Sequence, residues 1–270
     1  MASFSVVNNI AAANAQSNLI ETNIGLQRAL NRLSSGLRIN NSGDDAAGLA
    51  VANSYRSKVA VLNQGIRNAN DGMSTLQIKD GALNNISNLL DRLATLATQA
   101  ASAGFAGDLA KLNAEFASVM TEIDREASVG GLAVSVTFSV FISSEATTSN
   151  GVVSGNIARA DSAASGLNIT GAKIDSVANA VLALASITAA VGLLGTAQGN
   201  VGALENRLQF AVGLAQNQAV NNKAADSRIR DANVAEESAN MTRYNILTQS
   251  GIAALAQANQ TSASILALLR

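Results

Sequence analysis

Leucine-rich heptad stripes occupy both ends of this 270-residue chain. The first reads Leu19, Asn23, Leu26, Leu30, Leu33, Leu37, and the second Met241, Asn245, Thr248, Ile252, Leu255, Asn259, Ser262, Leu266, Leu269. Spacings of four and three place each set along one face of a helix. Chain termini normally fray, so strong helical patterning there predicts partners supplied by assembly. Small residues beside the stripes, Ala11 to Ala13 and Ala15 at one end and Ala253, Ala254, Ala256 and Ala258 at the other, permit close approach on further faces. Two terminal helices alone bury too little apolar surface to offset their ordering entropy, which predicts termini that become helical inside a polymer.

Composition agrees with a long-helix architecture. The sequence has no Pro, where average usage of about 5% would give a dozen or so, and Pro is the residue that breaks helices. Hydrophobic residues make up 48% but aromatics only 3%, so the core is aliphatic. Cys and His are both absent, which excludes disulfides, thiolate and imidazole metal sites and the commonest general base. No phosphate-binding loop or serine elbow appears. The densest acidic group, Glu115, Glu122, Asp124 and Glu126, is spread around a helix and reads as a solvated face. These features point to no enzyme, no cofactor and no metal. A net charge of −1 gives no footprint for nucleic acid and little repulsion against self-association.

Along the chain, Ser34-Ser35-Gly36 predicts a helix stop, and Asp44 or Asp45 a cap for the next helix. That helix carries Tyr55, Val59, Leu62, Ile66, Ala69, Met73, Leu76 and Leu83, then Ile86, Leu90, Leu93 and Ala97. About 55 residues at 1.5 Å each reach roughly 80 Å, a length natural to a rod. Gly65 and Gly72, seven apart on one face, would admit a close neighbour. A third helix is expected over about Leu109 to Ala127. Val134 to Ile142 alternates as a strand, Ser143 to Gly151 reads as a turn, and Leu167 to Thr170 as a further short strand. From Ser176 to Leu204 no residue is charged; Val177 to Leu194 reaches membrane-spanning length, but its Asn, Ser, Thr, Gly and Ala content favours a buried bundle helix. Asn233 and Glu236 have capping-box spacing at the start of the last helix. Met1 to Ile10 does not read as a secretory signal, which alone would suggest the cytoplasm.

Leu30-Asn31-Arg32-Leu33-Ser34-Ser35-Gly36-Leu37-Arg38-Ile39-Asn40 followed by Asp44-Asp45-Ala46-Ala47-Gly48-Leu49-Ala50 resembles the N-terminal signature of bacterial flagellins. Ala256-Gln257-Ala258-Asn259-Gln260 and the closing Leu266-Ala267-Leu268-Leu269-Arg270 resemble the flagellin C-terminus, and Gly202 to Leu208 the start of its C-terminal half. The similarity covers about residues 1–128 and 195–270.

The resemblance implies a mainly α fold: a long antiparallel helical rod formed by the N- and C-terminal halves, with a small β-hairpin region at its tip. It implies four segments: an inner-core helix over 1–43, the N-terminal rod part with the β tip over 44–194, a return segment over 195–232, and the C-terminal inner-core helix over 233–270. The short non-matching span, about 129–194, implies a minimal form without outer domains. The implied function is a filament subunit for swimming motility whose inner-core helices, through Leu19, Leu26, Leu30, Leu33, Leu37, Ile252, Leu255, Leu266 and Leu269, fold into a tube on polymerisation. Implied partners are further copies of the chain, a flagellar export chaperone, the filament cap and the junction proteins, with type III export to an extracellular filament in place of the cytoplasm and no stable membrane insertion. The segment Asp91 to Ala97 is similar to the one recognised in some members by an animal innate immune receptor, with Arg92, Leu96 and Glu115 at matching positions; these also read as rod residues packed between subunits. A hook–filament junction protein shares the terminal helices, and a secreted membrane-inserting protein using Val177 to Leu194 is the alternative of a different class.

Overall fold

A computed structural model describes residues 9–102, 108–143 and 151–268. The elements are α1 (Ile10–Ser35), α2 (Ala46–Ala101), α3 (Leu109–Val129), β1 (Val136–Phe141), β2 (Val152–Ile157), α4 (Val177–Arg230) and α5 (Val234–Leu268). Residues up to Ser57 with those from Asn221 onwards form one compact unit, and Lys58–Val220 form another; the division falls within α2 and α4.

In the terminal unit, Asn9 caps α1 by accepting the Ala12 N–H, and Gly36 ends it in the left-handed conformation at φ 70°, donating to the Arg32 carbonyl. The link to α2 is held by Asp44, whose carboxylate accepts the N–H groups of Asn40 and Asn41, while Asp45 accepts the Gly48 N–H at 2.8 Å. Of the two candidate caps, Asp45 is therefore the one used. The backbone donors, Asn41 first and then Asn40, hold the Asp44 carboxyl below its ordinary pKa. A carboxylate depressed in the folded state contributes stability above its unfolded value, near 3.8, and that contribution is lost as pH falls through the folded value. The natural chain should accordingly lose melting temperature below pH 4, and Asp44→Asn should flatten that fall; parallel pH profiles for the two proteins would refute this contribution.

In the 58–220 unit, α2 is the spine. Asn85 bonds Glu126, and Lys79 donates to the carbonyls of Gly130 and Gly131 at 3.2 and 2.8 Å, so α3 runs antiparallel to α2. The Lys79 ammonium thereby closes the carbonyl end of α3, where the helix dipole favours a cation, and burial lowers its pKa. Gln198 bonds Asn84, and Gly72 lies under Leu208, so α4 is antiparallel to α2 as well. Leu83, Leu90 and Leu93 of α2, Phe116 and Ile123 of α3, and Ile187, Leu194 and Val201 of α4 fill the shared core.

After Gly131 (φ 64°) the chain continues along α2 as β1, which pairs antiparallel with β2 from Val136↔Ile157 to Phe141↔Val152. A β-carbon on Gly65 would overlap the backbone carbonyl of Ile142, and one on Gly72 would come within 2.7 Å of Val140 Cγ2. Both glycines expected to admit a neighbour admit this hairpin. β2 lies on α4, with Gly155 against Leu204 and Arg207 donating to the Ser154 carbonyl at 2.9 Å.

Two expectations need correction. Leu167 to Thr170 is not a strand: Leu167 and Ile169 are buried, but their N–H groups bond the nearby carbonyls of Asp161 and Ser162, and Asn168 takes φ 54°, which closes a local turn. The second strand is Val152–Ile157 instead; the expected turn before it lies almost wholly outside the described residues. The uncharged helix is also not buried all round. An 18-residue window of α4 has mean hydropathy 2.1, yet only one side, Ala180, Ala183, Ile187, Ala190 and Leu194, is buried, while Val181, Leu182, Val191 and Leu193 are exposed.

Candidate assembly site

Four contacts set the register of α1 against α5. Asn9 Nδ2 donates to the Ala258 carbonyl at 2.9 Å, Gly251 faces Leu19, Gly25 faces the Tyr244 ring, and Arg32 Nη1 donates to Glu237 Oε1 at 3.0 Å. The residue numbers in each pair sum to nearly the same value, the mark of an antiparallel helix pair. Beyond it, Arg38 donates through its guanidinium to the Ile229 carbonyl, Ala232 N–H donates to Gly36 O, and Leu37 bridges Asp231, so the two chain crossings are tied together where α1 and α4 end. Asn233 Oδ1 caps α5 by accepting the Ala235 N–H at 3.2 Å.

The heptad stripes divide when placed on this pair. Leu19, Leu26, Leu33 and Leu255 are half-buried toward the partner helix, and Leu37 sits in the bridge. Leu30 and Ile252 turn outward, 45% and 56% exposed. Leu266 lies in α5, and Leu269 falls outside the described residues. The line of closest approach instead uses residues that a search for leucines passes over: Ala29, Gly25 against Tyr244, and Gly251 against Leu19. A bulky ring opposite a glycine is the readable signal. Glu237 is also buried, and Arg32 is its charge partner.

A second apolar surface remains uncovered on this pair. Ile20 and Ile24 lie on the side of α1 opposite Leu19 and Leu26, and Ile246 on the side of α5 opposite Thr248 and Leu255; all three are exposed. A helix apolar on two faces has one face more than a two-helix pair can bury.

In the other unit, Arg92 of α2 meets Glu115 of α3, with Nε at 3.0 Å from Oε1 and a shorter contact through Nη2. Both are half-exposed, whereas Leu96 is 1% exposed and belongs to the core. At this segment Arg92 and Glu115 are accessible at the surface and Leu96 is not. The acidic group of α3 is engaged in structure: Asp124 accepts the N–H and hydroxyl of Ser162, Glu126 accepts from Asn85, and Glu122 pairs with Arg125. Among the described residues, no three His, Cys, Asp or Glu side chains are grouped to hold a metal ion.

Exposed apolar faces on the α1–α5 pair are a feature of structural, self-associating proteins. Comparison with known families gives the particular class. The family model described as the bacterial flagellin N-terminal helical region matches residues 6–134, and that of the bacterial flagellin C-terminal helical region matches residues 184–269. A flagellin of Halalkalibacterium halodurans is 36% identical over 269 residues, covering 97% of this chain and 98% of that protein. A flagellar filament 33 kDa core protein of Treponema phagedenis is 35% identical over 97% of this chain and 98% of its own length, and a Bacillus subtilis flagellin is 32% identical with the same coverage. The chain belongs to the bacterial flagellin family.

Proposed function

We propose that this chain is the structural subunit of a bacterial flagellar filament, a mechanical and not a catalytic role. The observation that supports it is the uncovered apolar face of the α1–α5 pair, carried by Ile20, Ile24 and Ile246. Neighbouring copies bury that face, so the terminal helices gain in the polymer the burial that a lone pair lacks. Leu30 and Ile252 belong to this outer contact, and Leu19, Leu26, Leu33 and Leu255 to the inner one. The same weakness of the isolated pair suits export of the unfolded chain through the flagellar type III channel to an extracellular filament, with an export chaperone, a filament cap and junction proteins as partners. Arg92 and Glu115 are the residues that an animal innate receptor for flagellin would touch.

Seeded growth tests the reading. Short fragments of polymer added to concentrated subunit should produce light scattering that rises with subunit concentration above a threshold. A chain that stays monomeric at every concentration, seeded or not, would overturn it. Flotation with liposomes in place of polymer growth would support membrane insertion through α4 instead, the reading that its hydropathy of 2.1 would favour.

A further inference from the structure

The α1–α5 pair holds an oxidisable side chain at its seam. With four Met and no Cys in the chain, methionine carries all of its sulfur. Met241 lies on α5 one turn beyond Glu237 and three residues before Tyr244, a spacing that puts all three on one side of the helix. Since Glu237 meets Arg32 and Tyr244 meets Gly25, that side faces α1, and Met241 falls level with Arg28 and Ala29. Ala29 is 2% exposed, and Met241 itself is half-buried. A long, unbranched thioether is a side chain suited to closing off an alanine at such a crossing.

The other described methionines, Met73 of α2 and Met120 of α3, pack against the core of the 58–220 unit. Reaching their sulfur fully requires that core to open. The terminal pair is weaker: Ala29 is the buried residue of α1, and a two-helix pair opens at a small fraction of the free energy that a multi-helix core demands. Met241 is therefore the sulfur that an oxidant in solution meets first. With hydrogen peroxide the step is a two-electron transfer. A sulfur lone pair takes one peroxide oxygen, the O–O bond breaks, and the departing hydroxide collects the proton and leaves as water, so the thioether is oxidised to sulfoxide as the peroxide is reduced. The sulfoxide oxygen is a strong acceptor. Left without a donor at the seam it costs desolvation, and if it takes the Arg32 guanidinium, which donates to Glu237 at 3.0 Å, it leaves a buried carboxylate without its partner. We propose that Met241 is a site of reversible oxidation by peroxide, and that its sulfoxide loosens the α1–α5 pair and keeps the subunit out of the polymer. This rests on the filament reading and adds a chemical condition on assembly.

Hydrogen peroxide, added to dilute subunit and removed before the protein is concentrated, tests the proposal. Peptide mass spectrometry should find oxygen added to Met241 about tenfold faster than to Met73 and Met120. The concentration needed for polymerisation should then rise about tenfold, while the melting of the 58–220 unit stays in place. Methionine sulfoxide reductases acting on both epimers should restore the original threshold. With each variant compared with itself before and after peroxide, Met241→Leu should show no rise, and Met73→Leu combined with Met120→Leu should show the full rise. Oxidation of Met241 no faster than of Met73 and Met120, an equal rise in Met241→Leu, or normal polymerisation of the natural chain with Met241 fully oxidised would each overturn the proposal and leave the filament reading intact. Failure of the untreated natural chain to polymerise would overturn the filament reading itself.

Discussion

Gly65→Ala lowers the stability of the 58–220 unit by about 3 kcal/mol, the upper part of the range for forcing an atom into a packed interior. The cost is high because the obstacle is backbone. The added carbon falls on the carbonyl of Ile142, where β1 runs against α2, and a strand paired along its length from Val136 to Phe141 cannot withdraw without breaking its register. Gly192→Ala is the control. It also lies within a long helix, but nothing stands within 4 Å of its added carbon, so the helix-propensity gain of up to about 1 kcal/mol is realised. Urea unfolding of the two variants should shift the midpoint in opposite directions. Equal shifts would show that the hairpin does not sit on α2 as described.

Ile24→Lys combined with Ile246→Lys raises the subunit concentration needed for polymerisation at least tenfold, or about 1.4 kcal/mol per subunit. Both isoleucines are about half exposed in the single chain, so the substitutions remove little internal contact and leave the melting transition within about 1 kcal/mol of its original position. In the proposed polymer the same positions would be buried, and each would then carry a charge with no partner. Sedimentation at graded concentrations separates the two effects. A double variant that polymerises at the original threshold would remove the outer face of α1 and α5 from the account.

The long helices were legible because their signals are local and repeated: apolar residues at helical spacing, no Pro, and stops such as Ser34-Ser35-Gly36. The alternation in β1 was equally plain. β2 was not, because Val152-Val153-Ser154-Gly155-Asn156-Ile157 breaks alternation and contains a glycine, a residue that weakens strands in isolation. Gly155 is there because Leu204 of α4 occupies the space above it, a reason that exists only in the folded unit. Leu167 and Ile169 mislead in the opposite sense: two alternating buried residues look like a strand, yet their backbone groups are used by a turn.

The assembly site was half legible. A four–three spacing of leucines identifies that α1 and α5 meet, but a 3.5-residue repeat drifts around a 3.6-residue helix, so Leu30 and Ile252 leave the inner line. What fixes the inner line is complementary size, Gly25 with Tyr244 and Gly251 with Leu19, a relation between residues more than 200 positions apart. The Arg92, Leu96 and Glu115 set divides for a similar reason, since resemblance matches positions and only packing assigns Leu96 to the interior.

Electron microscopy of concentrated protein, as the intact chain and as chains lacking residues 1–40 or 233–270, tests most directly whether the terminal helix pair drives assembly. The intact chain should form long filaments of constant diameter, and each truncated chain should remain unassembled while its 58–220 unit still melts cooperatively. Normal filaments from either truncated chain would contradict the account.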